Sequence, residues 1–165
     1  MRRILSVLLE NEPGALSRIV GLFSQRAFNI DSLNVAPTDD PTLSRITIST
    51  FGDDQVLEQI TKQVNKLVDV LKVSDLTERQ HIERELALIK VLALTSRTRT
   101  EVARLSDIFH GNIVDVGKQV YTLAIHGKAD KISAFIDALR NETDIVEVVR
   151  SGTLGIARGE KALSV

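Results

Sequence analysis

Apolar and polar positions along the first half of the chain alternate between two periods. Ile4–Leu9 is a short apolar run broken only by Ser6, which suits a buried strand. Pro13 then opens a helix on which Leu16, Ile19, Val20 and Phe23 recur at helical spacing, with Ser17, Arg18, Ser24 and Gln25 on the other face. Ile30–Ala36 and Leu43–Phe51 read as strands joined by the turn-rich Pro37-Thr38-Asp39-Asp40-Pro41. Asp53 is a good N-cap for a second helix carrying Val56, Leu57, Ile60 and Val64, and Val68–Val73 closes the set as a strand.

The second half repeats this order. Glu85–Leu92 is strand-like, and Thr98-Arg99-Thr100-Glu101 has the form of a capping box. It leads a helix with Val102, Leu105, Ile108 and Phe109, stopped near Gly111. Ile113–Val116 and Val120–Ile125 flank a turn at Gly117-Lys118; a helix with Ile132, Phe135, Ile136 and Leu139 and a last strand, Ile145–Val149, follow. Asp69-Val70-Leu71-Lys72-Val73 and Asp144-Ile145-Val146-Glu147-Val148 correspond by a shift of 75 positions (69 to 144). The expected fold is therefore α+β: two tandem ferredoxin-like βαββαβ domains, 1–76 and 83–165, linked near Asp75–Gln80. The glycine-rich stretch after Ser151 receives no element.

In this architecture the first and third strands are central, and Ile30–Ala36 lies at an edge. It is too apolar for a lone edge, so pairing with the same strand of a second copy predicts a homodimer.

Composition removes several classes of function. The 165 residues contain no cysteine, which excludes disulfides, thiolate catalysis and thiol-bound metals. The formal charge of −1 gives no electrostatic reason to expect nucleic acid or a membrane as partner, and Phe51 is the only aromatic on the central strands, too little for base stacking. The basic, apolar start is interrupted by Glu10-Asn11-Glu12 too early for a signal peptide, and no run is long enough to span a bilayer, so a cytoplasmic location is expected. His81, His110 and His126 are scattered, with no metal-ligand spacing. No phosphate-cradling loop or nucleophile elbow is present, and Asp39-Asp40 lies in a turn where acidic residues serve the backbone. No catalytic residue, metal or cofactor is assigned to this chain.

The informative stretch is 9–35. Asn11-Glu12-Pro13-Gly14-Ala15-Leu16 sets a tight turn at a helix start, directly after a central strand. The N–H groups around Gly14, Ala15 and Leu16, at the positive end of the helix dipole, form an anion site, and Gly14 has no side chain to keep a carboxylate away. Asn11 can cap the helix or hold an α-ammonium group. Past the far end of the same helix, Asn29 brings a second carboxamide and Ile30 an apolar wall. If edge strands pair between copies, Asn29 and Ile30 of one copy face Gly14 of the other, and a zwitterion fits the shared seam. Each motif alone is also ordinary structural punctuation.

The run Asn11–Arg26 with Phe28-Asn29-Ile30, continued by Ser32–Asp40, Ser44-Arg45, Asp69-Val70-Leu71 and Ile145–Gly152, resembles the acetohydroxyacid (acetolactate) synthase small-subunit family, whose N-terminal half is an ACT domain. The resemblance covers essentially the whole chain and is most specific in the first 75 or so residues. It implies a non-catalytic regulatory subunit of branched-chain amino acid biosynthesis. Such a subunit activates a large catalytic subunit that uses thiamine diphosphate, Mg2+ and FAD, and it confers feedback inhibition by valine or a related branched-chain amino acid. It also implies an effector site at a dimer seam near Asn11, Gly14 and Asn29, with Ala36 linked to feedback sensitivity. Ala27 departs from the family pattern, which usually has Gly there; Ala at a left-handed helix end costs local stability without touching the proposed contacts. The alternative is a stand-alone ACT sensor of another pathway, such as serine or glycine metabolism. A ferredoxin-like enzyme is a third class, for which no residue argues.

Overall fold

A computed structural model describes residues 1–164 and divides them into two units, one of 1–83 with the segment from Gly152 onward, the other of 84–151. The first unit contains β1 (Arg2–Glu10), α1 (Ala15–Gln25), β2 (Ile30–Pro37), β3 (Leu43–Phe51), α2 (Asp54–Val64) and β4 (Val70–Asp75). Its strands are ordered β2-β3-β1-β4, so β1 and β3 are central and β2 is an edge, as the pattern predicts. In β1, Leu5, Val7 and Leu9 point to the helices and meet Ile19 and Phe23 of α1, Ile60 and Val64 of α2, and Ile46 and Ile48 of β3. Fully burying each such side chain stabilises by about 1.5–3 kcal/mol. Asp53 caps α2 as expected, its Oδ1 accepting from Gln55 N at 2.8 Å.

The second unit begins at Arg84, within β5 (His81–Leu92), and runs through α3 (Ser96–Ile108), β6 (Asn112–Val116), β7 (Val120–Gly127), α4 (Ala129–Glu142) and β8 (Ile145–Arg150). Its order, β6-β7-β5-β8, repeats that of the first sheet. Its core joins Ala87, Ile89, Val91, Leu123 and Ile125 to Val102, Leu105, Ile132, Phe135 and Leu139 of the two helices. Helix α3 starts three residues before the expected capping box: Thr95 is the N-cap, its Oγ1 accepting from Thr98 N at 3.1 Å. Two threonines of the right spacing compete there, and the earlier one wins.

The stretch after Ser151, expected within the second domain, belongs instead to the first unit. It forms β9 (Leu154–Ala157), which pairs with β5, and it packs on Ile4 and Thr47, on the face of the first sheet opposite the helices. Asn34 Nδ2 donates to the Thr153 carbonyl at 3.1 Å, and Arg158 N donates to the Gln80 carbonyl at 2.9 Å. Gly155 lies so close to Leu76, Ile4 and Thr47 that a Cβ there would stand 2.6 Å from Leu76 Cδ1. This segment, here called the strap, gives the first unit a third layer.

Among the described residues, two helices end in a Schellman turn, and both use a residue other than glycine. After α1, Ala27 takes φ 52°, with Phe28 N donating to Phe23 O at 2.9 Å and Ala27 N to Ser24 O at 3.0 Å. After α3, His110 takes φ 56°, and Gly111, expected as the stop, follows it in an ordinary conformation. A left-handed residue with a Cβ costs about 1–2 kcal/mol, less the entropy that glycine loses on folding. Ala27→Gly is therefore expected to stabilise the first unit by about 1 kcal/mol, read as a higher urea midpoint at unchanged slope.

Candidate effector site at the ends of helix α1

The start of α1 departs from the expected geometry in detail. Pro13 precedes the helix, and Gly14 is its N-cap, at φ 86° and ψ −12°, with no side chain capping the first turn. Only glycine enters that left-handed region without strain. Asn11 does not cap the helix. Its main-chain N donates to Thr42 O at 2.8 Å and its Nδ2 to Pro41 O at 3.0 Å, so it fastens the β2–β3 connection to the end of β1. The Ala15 N–H, counted above among the open donors, reaches Glu12 O at 3.2 Å, and Ala15 itself is buried. The Leu16 and Ser17 amides have no internal acceptor among the described residues. With no acidic residue in the first turn, the positive end of the dipole is uncompensated on its own helix.

Arg18 completes this end of the site, and the sequence reading missed it. It stands four residues after Gly14, on the same helix face, and a Cβ on Gly14 would lie 3.2 Å from its Nη1. Its guanidinium grips Asp69 with two bonds, Nε to Oδ2 at 2.6 Å and Nη2 to Oδ1 at 3.0 Å. The hydrogen bond and charge of Asp69 raise the Arg18 pKa, and the hydrogen bond from Arg18 holds the Asp69 carboxyl below its ordinary range. Asp69 is nearly enclosed, so the pair fixes the Arg18 side chain over α1's first turn. Because the folded-state pKa of Asp69 is depressed, its contribution is present above the ordinary carboxylate range and is lost as pH falls through the depressed value. Asp69→Asn is thus expected to be less stable than the parent at pH 7, with the gap closing on acidification; urea midpoints across pH measure it.

At the other end of α1, the Ala27 turn delivers the chain to Asn29 and Ile30. The buried Thr50 Oγ1 donates to the Asn29 carbonyl at 2.6 Å, and the exposed Asn29 carboxamide has no partner among the described residues. The Phe28 ring lies over Gly52, where any Cβ would overlap it. An 11-residue helix is about 16 Å long, so Gly14 and Asn29 are not together within one chain. Along α1 between these ends runs an open concavity of about 450 Å3 whose lining includes Gly14, Ser17, Gly21 and Gln25, recurring at helical spacing. Ala36 is elsewhere, on the strap-facing side of the sheet, opposite Arg45 in the β2–β3 register. It lines a separate cavity of about 460 Å3 with Leu8, Val35, Arg45, Leu154 and Ile156.

Residues 5–72 match the model of the AHAS small subunit-like ACT domain, and residues 84–159 match that of the small subunit of acetolactate synthase. The chain is 65% identical to the acetolactate synthase small subunit of Haemophilus influenzae, over 98% of each chain. The chain belongs to the acetolactate synthase small-subunit family. It is also 59% identical to the acetolactate synthase isozyme 3 small subunit of Salmonella typhimurium, over 99% of each chain. The crystal structure of the acetolactate synthase small subunit from Thermotoga maritima superposes with a TM-score of 0.85 at 37% identity, covering 98% of this chain and 99% of that one.

Proposed function

We propose that this small subunit binds a branched-chain amino acid, valine foremost, at a seam between two copies, and transmits its occupancy to a large catalytic subunit. The observation that carries this reading is the glycine-opened, uncapped N-terminus of α1, with Arg18 fixed beside it. A carboxylate there meets the Leu16 and Ser17 amides and the positive end of the dipole. The apolar edge strand β2 supplies the reason for a second copy. Antiparallel pairing of β2 with its symmetry mate brings the Asn29–Ile30 end of one helix toward the Gly14 end of the other. The Asn29 carboxamide then serves the α-ammonium group and Ile30 the aliphatic side chain. Ala36, on the opposite side of the sheet, acts through strand β2 rather than by contact.

In this reading the chain performs no chemistry. Thiamine diphosphate, Mg2+ and FAD belong to the large subunit in the cytoplasm, and the small subunit raises its rate and subjects it to feedback. Matches along the whole length to acetolactate synthase small subunits favour this over a free-standing sensor of serine or glycine metabolism. An effector acts only through its difference in affinity between two arrangements; a coupling of about 1–3 kcal/mol, roughly 5–150-fold, is enough for feedback.

The test is acetolactate formation by the large subunit with its cofactors, alone and with this chain, with and without valine. A rate that rises on adding the chain and falls again with valine is expected. No change on adding the chain defeats the proposal. A thermal-shift screen of the twenty amino acids ranks the effector, since only ligands of the folded state raise the midpoint.

A further inference from the structure

The strap-facing side of the first sheet gathers cations that the effector site does not use. Arg45 sits in central strand β3, between Leu8 and Ala36 in register. Two of its three nitrogens are clamped: Nε donates to Ser6 Oγ at 2.9 Å and Nη2 to the Gly155 carbonyl at 3.1 Å. Arg2, Arg3 and Arg18 in the same unit each pair with a carboxylate. Arg45 pairs with none among the described residues, and desolvation draws its pKa below the usual arginine value. A guanidinium carried into a half-buried place without a counter-charge is costly unless something supplies one.

Arg45 forms one wall of a cavity of about 210 Å3 between β4 and the strap. Lys72, Arg79 and Lys161 line the same cavity with Ser74, and among the described residues no carboxylate side chain does. Lys72 Nζ donates to the Ser164 carbonyl at 2.9 Å, and Arg79 and Lys161 make no ion pair among the described residues. Four cations at one small cavity repel one another, and an anion placed there turns that repulsion into attraction. The chain's net charge of −1 shows that the cluster is local, not part of a broadly basic surface of the kind that attracts nucleic acid or membrane.

We propose that this cavity binds a small phosphate-bearing ligand, with a diphosphate group held by Arg45, Lys72, Arg79 and Lys161. The planar fork of Arg45, already oriented by Ser6 and Gly155, matches a tetrahedral oxyanion, and the two lysines act as point charges around it. The neighbouring 460 Å3 cavity shares Arg45 and Leu163 with this one and is walled by Leu8, Val35, Leu154 and Ile156. An organic portion esterified to the diphosphate extends into it past Leu163. Lys161 and Leu163 belong to the strap, so a bound anion ties the strap to β4. This site is independent of the α1 seam, and failure of either leaves the other standing.

The experiment titrates the full chain with sodium diphosphate by calorimetry at low ionic strength, with orthophosphate and malonate as parallel arms. Saturable binding at one site per chain is expected, tightest for diphosphate and weakened by salt. It should fall at least ten-fold in Arg45→Gln and in the double variant Arg79→Gln with Lys161→Gln, whose exposed side chains leave the fold intact. Hydrogen exchange at 158–164 should slow when diphosphate is added, while valine affinity stays unchanged. Absence of saturable binding to the parent chain overturns the proposal. So does equal affinity for malonate, or binding undiminished in the double variant.

Discussion

Gly14→Asp is expected to abolish the response to valine while leaving a folded protein. The residue stands at φ 86°, a region that aspartate enters at about 1–2 kcal/mol, and a Cβ there would stand 3.2 Å from Arg18 Nη1, the far end of a flexible side chain that can give way. Its carboxylate falls among the donors proposed for the effector: the Leu16 and Ser17 amides and the Arg18 guanidinium. It therefore competes from within and repels the incoming carboxylate. Hydrogen bonds to a charged group contribute about 1.5–3 kcal/mol each, so loss of one or two lowers affinity by at least about ten-fold. Gly14→Asn has nearly the same shape without the charge and should retain more of the affinity. Calorimetric titration of both variants with valine measures the difference; parental affinity in the aspartate variant would remove Gly14 from the site.

Phe23→Ala should be the most destabilising single truncation near the site. Phe23 is fully buried, among the largest such side chains in the molecule, and packs in the core of the first unit. Its carbonyl also accepts from Arg26 N at 3.2 Å and Phe28 N at 2.9 Å, where α1 turns toward Asn29. Removing the ring loses transfer energy and leaves a cavity, together about 3–5 kcal/mol. Equilibrium denaturation should show that loss, and effector affinity should fall with it, because the end of α1 that presents Asn29 is no longer held. A change below about 1 kcal/mol would mean that the surroundings collapse into the space, contrary to the tight packing of Ile19, Ile46 and Ile48 around it.

Much of this molecule was legible along the chain because its helices and strands carry clean periods. Ile30–Ala36 and Leu43–Phe51 come within a residue of β2 and β3, and Asp53 caps α2 as read. The helix starts were less legible. Pro13 and Gly14 both suit the opening of α1, and only the backbone shows that Gly14 takes the N-cap in a left-handed turn. The partner of Arg18 could not be read, because Asp69 lies 51 positions away and helical spacing says nothing about sheet neighbours. A pattern search could have singled out Arg18 itself, four residues after Gly14. The strap escaped because Leu154-Gly155-Ile156-Ala157 is too short for a period to register, and its partners Asn34 and Arg45 lie more than a hundred residues upstream. The seam needs a second chain, which no single sequence displays.

The return of the strap has a consequence for biosynthesis. The bond from Arg45 to Gly155 spans 110 positions and that from Asn34 to Thr153 spans 119. On a translating ribosome, the outer face of the first sheet must therefore wait for the strap, with Ile4, Leu76 and Thr47 not yet covered by it, while 84–151 is polymerised. Contacts of such long range close slowly. Residues 152–157, once they emerge, are the ones that cover that face.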